Sequence, residues 1–350
     1  MCKYVEIVAV LLCTAVGASL GTEYPVPTFT IDLDAAPEVR FHKVNEYYKH
    51  MAPAFVEQIS TVVPKEFQGI LEAVAVDYMH ARVKPVYVAE MTALAKTWNI
   101  SVGYVVAANL IYDFTAACTS IVMQAENGTI LHGRNLDYSF GGVLRNVTYI
   151  GDFQRGGKTA YKLTTYGGYF GALSGMRPGG FTVTVDERDQ GAVWENIAMA
   201  LFDRKSDPLG FFVRETLDTD GIDFVQAVET LSTTPLIAPV YLIVGGVTPG
   251  QGAVITRDQL GAIDTYYLDA DKGRWYVLET NYDHWKPPPK TDDRRDPAEK
   301  ILNAAGRSQV GYALLQKVLN TPPILNSHTT YTVLMSAAHP DDYKSWVQRI

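Results

Sequence analysis

The spacing of apolar residues divides the chain into a helical part and a later part that is rich in strands. Between residues 41 and 117, apolar side chains recur every three or four positions, which is the spacing of amphipathic helices. The first such series is Phe41, Val44, Tyr48, Met51 and Phe55. Pro64 and Pro85 interrupt the pattern, so we predict several helices rather than one.

From Cys118 the pattern changes to short β-branched and aromatic runs, separated by turns that contain Gly or Asn. Such runs predict an antiparallel meander. They are CTSIVMQ (118–124), TILHGRNLDY (129–138), LRNVTYIGDF (144–153), KTAYKLTTY (158–166) and FTVTVDER (181–188). Helical runs follow at 193–202, 208–217 and 223–231, strands at 239–282, helices at 297–305 and 311–319, and a strand at 331–337. This order predicts an α+β fold of layered sheets and helices.

The composition excludes several classes of function. With 47% apolar and 19% charged residues among 350, the chain is globular, and a formal net charge of −8 without a basic stripe indicates no nucleic-acid partner. The seven His are dispersed, and no CxxC, HExxH or EF-hand spacing occurs, so we predict no metal and no cofactor. The glycine-rich run at 245–252 lacks the Lys-Ser/Thr of a P-loop and is predicted to be a hairpin turn.

The N-terminus has the features of a secretory signal. Lys3 precedes an apolar stretch at 5–16, and small residues follow to position 21, so residues 1–21 are predicted to be a signal peptide. The apolar stretch is too short to span a bilayer. Three glycosylation sequons begin at Asn99, Asn127 and Asn146, which also favours passage through the secretory pathway.

Cysteine usage singles out one residue. Cys2 and Cys13 would leave with the signal, and Cys118 would be the only thiol of the mature protein. A single thiol in a secreted chain indicates a reactive group or an intermolecular partner. The alternative is a buried Cys that acts as a small apolar residue.

The neighbours of Cys118 suggest how such a thiol becomes reactive. A cut between Ala117 and Cys118 would give Cys118 a free α-amine, which can serve as the base for its own thiol. A turn at Glu126–Gly128 would fold the next strand back and bring Arg134 and Asp137 beside the start of the first. Arg can stabilise a thiolate, and Asp can accept a hydrogen bond from the amine. The alternative is a surface ion pair on a hairpin.

Five sequence blocks resemble the acid ceramidase and N-acylethanolamine acid amidase family of N-terminal-nucleophile hydrolases. They are CTSIV (118–122), HGRNLDY (132–138), DERD (186–189), TNYDHW (280–285) and DDRR (292–295). The resemblance implies an αββα core preceded by a mainly helical segment. It also implies an inactive precursor that cuts itself before Cys118, an alpha subunit of residues 22–117 and a beta subunit of residues 118–350 that stay associated, and an acidic, lysosomal site of action.

The resemblance also implies a set of site residues. Cys118 would be the nucleophile, with Arg134 as the partner of the thiolate and Asp137 as the residue that orients the amine. Asn281 would donate to the oxyanion, Arg294 would be a further Arg of the site, and Glu187 would line it near the scissile amide.

The absence of further mature cysteines removes the bridge between subunits found in the ceramidase branch. The resemblance therefore implies N-acylethanolamines such as N-palmitoylethanolamine as substrates, with ceramide as the alternative. A non-catalytic lipid carrier and a peptide or β-lactam amidase remain alternatives. A fatty-acid amide substrate implies contact with a membrane or lipid vesicle, and the apolar runs at 67–79 and 209–213 are candidate anchors unless they belong to the core.

Overall fold

The computed structural model describes residues 22–62, 76–81, 83–111, 116–138, 141–188 and 208–349. The strands are β1 Thr22–Pro25, β2 Thr28–Asp32, β3 Ala116–Gln124, β4 Ile130–Tyr138, β5 Thr148–Arg155, β6 Lys158–Tyr166, β7 Ser174–Arg177, β8 Phe181–Glu187, β9 Val240–Gly245, β10 Gly252–Arg257, β11 Ala262–Tyr267, β12 Tyr276–Glu279, β13 Thr329–Met335 and β14 Lys344–Arg349. The α-helices are Pro37–Arg40, His42–Tyr48, Ala52–Val62, 76–81, Pro85–Trp98, Val102–Ile111, Gly141–Val147, Leu209–Asp218, Phe224–Thr233, Arg295–Ala305 and Tyr312–Leu319.

The strands form two sheets. One has six strands in the order β1-β14-β13-β4-β3-β12, and the other has eight in the order β11-β10-β9-β8-β7-β6-β5-β2. Strand β2 pairs parallel with β5, and the other pairs are antiparallel. The N-terminal strands β1 and β2 therefore enter one sheet each, beside strands from the far end of the sequence and from the middle of it.

The sheets lie face to face between layers of helices. Apolar residues of β3, β9, β10 and β12 form the core between the sheets. Helices Arg295–Ala305 and Tyr312–Leu319 cover the outer face of the six-stranded sheet, whereas the N-terminal helices and helices Leu209–Asp218 and Phe224–Thr233 pack on the other sheet. The predicted α+β class and αββα arrangement are confirmed.

Local sequence rules account for the hairpin that carries Cys118. Its turn hydrogen bond runs from the Gly128 N–H to the Ala125 carbonyl at 3.0 Å, and Gly128 has a φ of +88°, which L side chains rarely adopt. In the resulting register Cys118 lies opposite Leu136, and Ser120 lies opposite Arg134. The predicted fold-back of Arg134 and Asp137 towards the start of the first strand is confirmed.

The predicted single meander is wrong after β4. Residues 144–147, predicted as the start of a strand, end the helix Gly141–Val147. The chain uses that helix to leave the six-stranded sheet after β4 and to enter the eight-stranded sheet with β5. Residues 245–252 form the predicted hairpin turn, with Gly245 opposite Gly252. The helical prediction at 193–202 falls outside the described residues.

The two candidate membrane anchors differ in outcome. Leu209, Phe211, Phe212 and Val213 are buried in the core, so the prediction of an exposed anchor at 209–213 is wrong, because the helix turns these residues towards the sheet. Of the run at 67–79, residues 67–75 lie outside the described part, while Tyr78 and Met79 are buried. Among the helices of the described ranges, none combines the length and the apolar character that a membrane crossing requires.

Candidate active site

The thiol of Cys118 lies inside the protein, between the two sheets. Cys118 is the third residue of the uncut strand β3, and its exposed fraction is 0%. The Nη2 of Arg134 donates a hydrogen bond to its Sγ at 2.8 Å, and the Sγ lies 3.8 Å from the Val185 carbonyl oxygen in the opposite sheet. The thiol therefore has a fixed cation beside it, unlike a Cys that only fills an apolar core.

Arg134 is held in place from both sheets, since its Nη1 also donates to the Tyr331 hydroxyl of β13 at 3.3 Å. Its Nη1 donates to the Leu173 carbonyl at 2.9 Å and to the Ser174 hydroxyl at 2.8 Å, and its Nε lies 3.4 Å from a carboxylate oxygen of Asp186. Burial lowers the pKa of Arg134, but the neighbouring Cys118 and Asp186 outweigh it, so the guanidinium stays charged.

The thiol itself is protonated in the uncut chain. Burial raises the pKa of Cys118 far above its usual range, the charge of Arg134 lowers it, and the charges of Asp186 and Asp137 raise it again. A nucleophilic thiolate therefore requires a change in this environment or a base.

Asp137 lies in the same strand as Arg134 but has different partners. Its Oδ1 accepts from the Thr329 hydroxyl at 2.7 Å, and its Oδ2 accepts from Asn326 Nδ2 at 2.9 Å and lies 3.4 Å from Arg294 Nη1. Burial raises the pKa of Asp137 to about 6 although Arg294 opposes the shift. Arg134 and Asp137 are both buried, so the alternative of a surface ion pair is wrong.

Asn281 and Arg294 hold the backbone of Cys118. The Cys118 N–H, which belongs to the peptide bond with Ala117, donates to Asn281 Oδ1 at 2.8 Å. Arg294 Nη1 donates to the Cys118 carbonyl at 2.5 Å, and its Nη2 donates to Asn281 Oδ1 at 2.6 Å. The Nδ2 of Asn281, predicted to bind an oxyanion, donates to the Glu187 carbonyl at 2.7 Å in this uncut form.

Glu187 is only half-buried and meets Asn281 through its backbone carbonyl. The residue before it, Asp186, has an exposed fraction of 0%, and its Oδ1 accepts from the Ser120 hydroxyl at 2.8 Å. We did not predict Asp186 as a site residue. The sequence feature that could have indicated it is the alternation of side chains along β8, which places Val183 and Val185 on one face and Asp186 on the other.

A second unpredicted carboxyl lies in β12, beside β3. Glu279 lies opposite Ser120 in the pairing of β12 with β3, and only 1% of it is exposed. Burial raises the pKa of Glu279 well above its usual range. His132 is also fully buried, with its ring nitrogens 2.8 and 3.0 Å from the hydroxyls of Thr182 and Thr184.

The remaining predicted positions lie at the surface. Asn99, Asn127 and Asn146 are all exposed, as a glycosylated asparagine must be. A cleft of about 440 Å³ is lined by Asp137 and Arg294 together with Lys290, Asn326 and His328. Within the ranges that the structure describes, no cluster of three or more His, Cys, Asp or Glu side chains is arranged to hold a metal ion.

Comparison with known proteins gives consistent results over nearly the whole chain. A family model described as the beta subunit of N-acylethanolamine-hydrolyzing acid amidase matches residues 24–79. That description uses the term "beta subunit" for residues before Cys118, the part that we predicted to be the alpha subunit. The two pieces are therefore called N-terminal and C-terminal.

Curated relatives extend this match. The N-acylethanolamine-hydrolyzing acid amidase of Oryctolagus cuniculus is 42% identical over 95% of this chain and 93% of its own length, and that of Mus musculus is 40% identical over 99% and 96%. The acid ceramidase of Bos taurus is 35% identical over 89% and 83%. A solved structure of the Caenorhabditis elegans ortholog of the amidase, 36% identical, aligns with a TM-score of 0.60 over 66% of this chain and 99% of that chain.

Proposed function

The chain belongs to the family of N-acylethanolamine-hydrolyzing acid amidases and acid ceramidases, and from this premise we propose that it hydrolyses N-acylethanolamines such as N-palmitoylethanolamine to free fatty acid and ethanolamine. It is an amide-hydrolysing enzyme. The observation that carries the proposal is the thiol of Cys118 with Arg134 Nη2 at 2.8 Å, because a thiol beside a fixed cation is the group that acyl transfer requires.

The first proposed reaction is self-cleavage between Ala117 and Cys118. The thiol adds to the Ala117 carbonyl, the C–N bond breaks, and the Cys118 nitrogen leaves as a free amine. The resulting thioester is hydrolysed by water. The contact of Asn281 Oδ1 with the Cys118 N–H supports this step, since it holds the peptide that must react, and Arg294 holds the next peptide through the Cys118 carbonyl.

The second proposed reaction is turnover of the lipid. The new amine of Cys118 takes the proton of its own thiol, Arg134 stabilises the thiolate, and the sulfur attacks the fatty-amide carbonyl. The amine returns the proton to the departing ethanolamine, and water hydrolyses the acyl thioester. We assign the oxyanion to Asn281 Nδ2, a donor worth ~3 kcal/mol in such sites. Asp137 orients the amine, and Glu187 lines the site near the scissile amide.

The proposed domain organisation follows from the same cut. After removal of residues 1–21, the piece 22–117 stays bound to the piece 118–350. The pairing of β1 with β14 and of β2 with β5 supports lasting association, because it crosses the proposed cut in both sheets. We further propose a lysosomal, glycosylated enzyme that meets its substrate at a membrane or vesicle surface.

Ceramide hydrolysis is the second candidate function. The ceramidases are related at 34–35% identity, against 40–43% for the amidases. Cys118 is the one free cysteine of the described residues, and no other mature Cys exists to form a bridge between subunits. Both facts favour N-acylethanolamines.

A substrate panel on acid-incubated protein tests the proposal. Mass spectrometry should find an N-terminal piece that ends at Ala117 and a C-terminal piece that begins at Cys118. N-palmitoylethanolamine should be hydrolysed faster than ceramide, and Cys118→Ala should abolish both cleavage and turnover. Turnover that survives in Cys118→Ala would remove Cys118 as the nucleophile, and binding of the lipid by wild-type protein without hydrolysis would favour a carrier.

A further inference from the structure

Asn281, the proposed oxyanion donor, lies in an irregular part of the chain. It belongs to the segment 280–294, which forms turns and coil between β12 and the helix Arg295–Ala305. In the uncut form its Nδ2 donates to the Glu187 carbonyl at 2.7 Å. The position of such a donor matters, because a displacement of about 1 Å in a catalytic site can lower the rate by about 10²-fold. The segment must therefore be fixed relative to the rest of the site.

Asp283, two residues after Asn281, fixes this segment to the opposite sheet. Its side chain is 1% exposed. Arg188 donates to both of its carboxylate oxygens, from Nε to Oδ1 at 2.8 Å and from Nη2 to Oδ2 at 3.2 Å. The Tyr241 hydroxyl donates to Oδ1 at 2.7 Å. Arg188 directly follows β8 and Tyr241 lies in β9, so both donors lie on the side of the eight-stranded sheet, whereas β12 belongs to the six-stranded one.

Two neighbouring contacts thus join the same two segments. Glu187 accepts from Asn281, and the next residue, Arg188, donates to Asp283. A bidentate pair of a guanidinium and a carboxylate has a fixed planar geometry, so it defines an orientation as well as a distance. The Nη1 of Arg188 also donates to the Arg257 carbonyl of β10 at 3.3 Å, which limits the movement of the guanidinium. The Arg188–Asp283 pair therefore sets how the Asn281 amide lies against the end of β8.

Lys286 contacts the same carboxylate without joining the two sheets. Its Nζ lies 2.7 Å from Asp283 Oδ2, but it belongs to the same segment, three positions further along, and its side chain is 51% exposed. Burial raises the pKa of Asp283, but the hydrogen bonds from Arg188, Lys286 and Tyr241 lower it below its usual range, so the carboxylate is ionised. Arg188 and Lys286 each bring one positive charge to this carboxylate, and of the two only Arg188 fixes it relative to β8.

We propose that Arg188 and Asp283 are positioning residues that hold the amide of Asn281 at the place where the oxyanion forms. The inference rests on the proposed hydrolysis of N-acylethanolamines and adds two residues to its site. The pair acts on the transition state, in which the substrate oxygen becomes negative and meets Asn281 Nδ2, and not on binding of the acyl chain. Loss of the pair should therefore lower kcat and leave KM unchanged.

The test compares Arg188→Gln with Lys286→Gln on N-palmitoylethanolamine, with kcat counted per cleaved molecule as found by mass spectrometry. Each variant removes one positive charge from beside the Asp283 carboxylate, so a general effect of charge would be equal in both. Arg188→Gln should lower kcat by about 10–10²-fold at the KM of the wild type, as expected for a displaced catalytic group. Lys286→Gln is the matched control and should keep the kcat of the wild type.

A double-variant cycle tests whether the pair acts through Asn281. Asn281→Asp keeps the oxygen that the Cys118 N–H contacts but loses the amide donor, so no donor is left to position. Adding Arg188→Gln to Asn281→Asp should therefore cause no further fall in kcat, because coupled residues do not act additively. A merely structural role of Arg188 would lower kcat by the same factor in both backgrounds.

Four results would overturn the inference: an unchanged kcat in folded Arg188→Gln, an equal loss in Lys286→Gln, a loss of activity that lies in KM, or a full further loss in the Asn281→Asp background. If Arg188→Gln does not fold, Tyr241→Phe decides, because it removes one donor to Asp283 and keeps the ring. It should lower kcat at an unchanged KM, and only where Asn281 is intact; any other result there refutes the inference. Wild-type protein that hydrolyses no N-acylethanolamine would instead refute the proposed function.

Discussion

Arg214 donates two hydrogen bonds to the carboxylate of Glu90, at 2.6 and 2.9 Å, where the side chains are 3% and 0% exposed. The guanidinium carbon also lies 5.0 Å from the ring centres of Tyr87 and Phe153. Glu90 precedes the proposed cut and Arg214 follows it. This ion pair therefore joins the two pieces, and beyond residue 21 the sequence has no Cys except Cys118 that could form a bridge between them.

We expect Glu90→Gln to destabilise the protein strongly. Removing one partner of a buried ion pair leaves the other charge uncompensated and typically costs about 3–5 kcal/mol of unfolding free energy. Denaturant unfolding of the uncut Cys118→Ala protein measures this, and size exclusion of cleaved protein detects separation of the pieces. The control is Glu215→Gln, which breaks the Lys84–Glu215 pair across the same cut, where the side chains are 61% and 27% exposed. That loss should stay below about 1 kcal/mol. Equal losses would contradict the prediction.

We expect substitutions of Asn281 to separate self-cleavage from lipid turnover. Asn281→Asp keeps an oxygen for the Cys118 N–H and Arg294 but loses the amide donor. It should still cleave, while kcat for the lipid amide falls by about 10²–10³-fold, as for other lost oxyanion donors. Asn281→Leu loses both groups and should be impaired in both reactions. Mass spectrometry and steady-state kinetics measure the two effects. If Asn281→Asp hydrolyses the lipid amide with the kcat of the wild type, Asn281 does not bind the oxyanion.

We expect His132 to make stability fall in acid. Burial lowers the pKa of His132 from 6.5 to about 3, so between these values the unfolded chain binds a proton that the folded protein does not. The stability contributed by the neutral ring is complete above pH 6.5 and is lost as the pH falls towards 3, by up to about 1.4 kcal/mol per pH unit. In the uncut Cys118→Ala background, the advantage of His132 over His132→Gln should shrink over this range. An advantage that stays constant over this range would contradict the prediction.

We expect each of the three sequons to carry a glycan, because Asn99, Asn127 and Asn146 are all exposed. Replacing any one of these asparagines should increase, by one step, the gel mobility of the protein expressed through the secretory pathway. Asn99 has a φ of +52°, so Asn99→Gly removes that sequon without strain, whereas Asn99→Gln adds strain. Glycosidase treatment that leaves the mobility unchanged would contradict this and weaken the lysosomal proposal.

Local patterns predicted most of the helices and strands. Apolar residues at spacings of three and four identified the helices at 85–98 and 102–111, because a helix must present one apolar face to a core. The strand prediction failed at 144–147, because these residues end a helix. There the change of sheet after β4, a property of the whole fold, overrode the local preference.

The sequence by itself determined the pairing of Cys118 with Arg134. A turn of fixed length and a side-chain period of two place them on one face of a hairpin, and these are local rules. Tertiary structure alone decided that Asp186 meets Ser120 and that Asn281 and Arg294 meet Cys118, through contacts that span 66 to 176 positions of the chain. It also decided that Arg134 faces Asp186, while Asp137 faces Arg294. Which charges are buried together depends on how the two sheets stack, and stacking follows from the sum of many apolar contacts rather than from any motif.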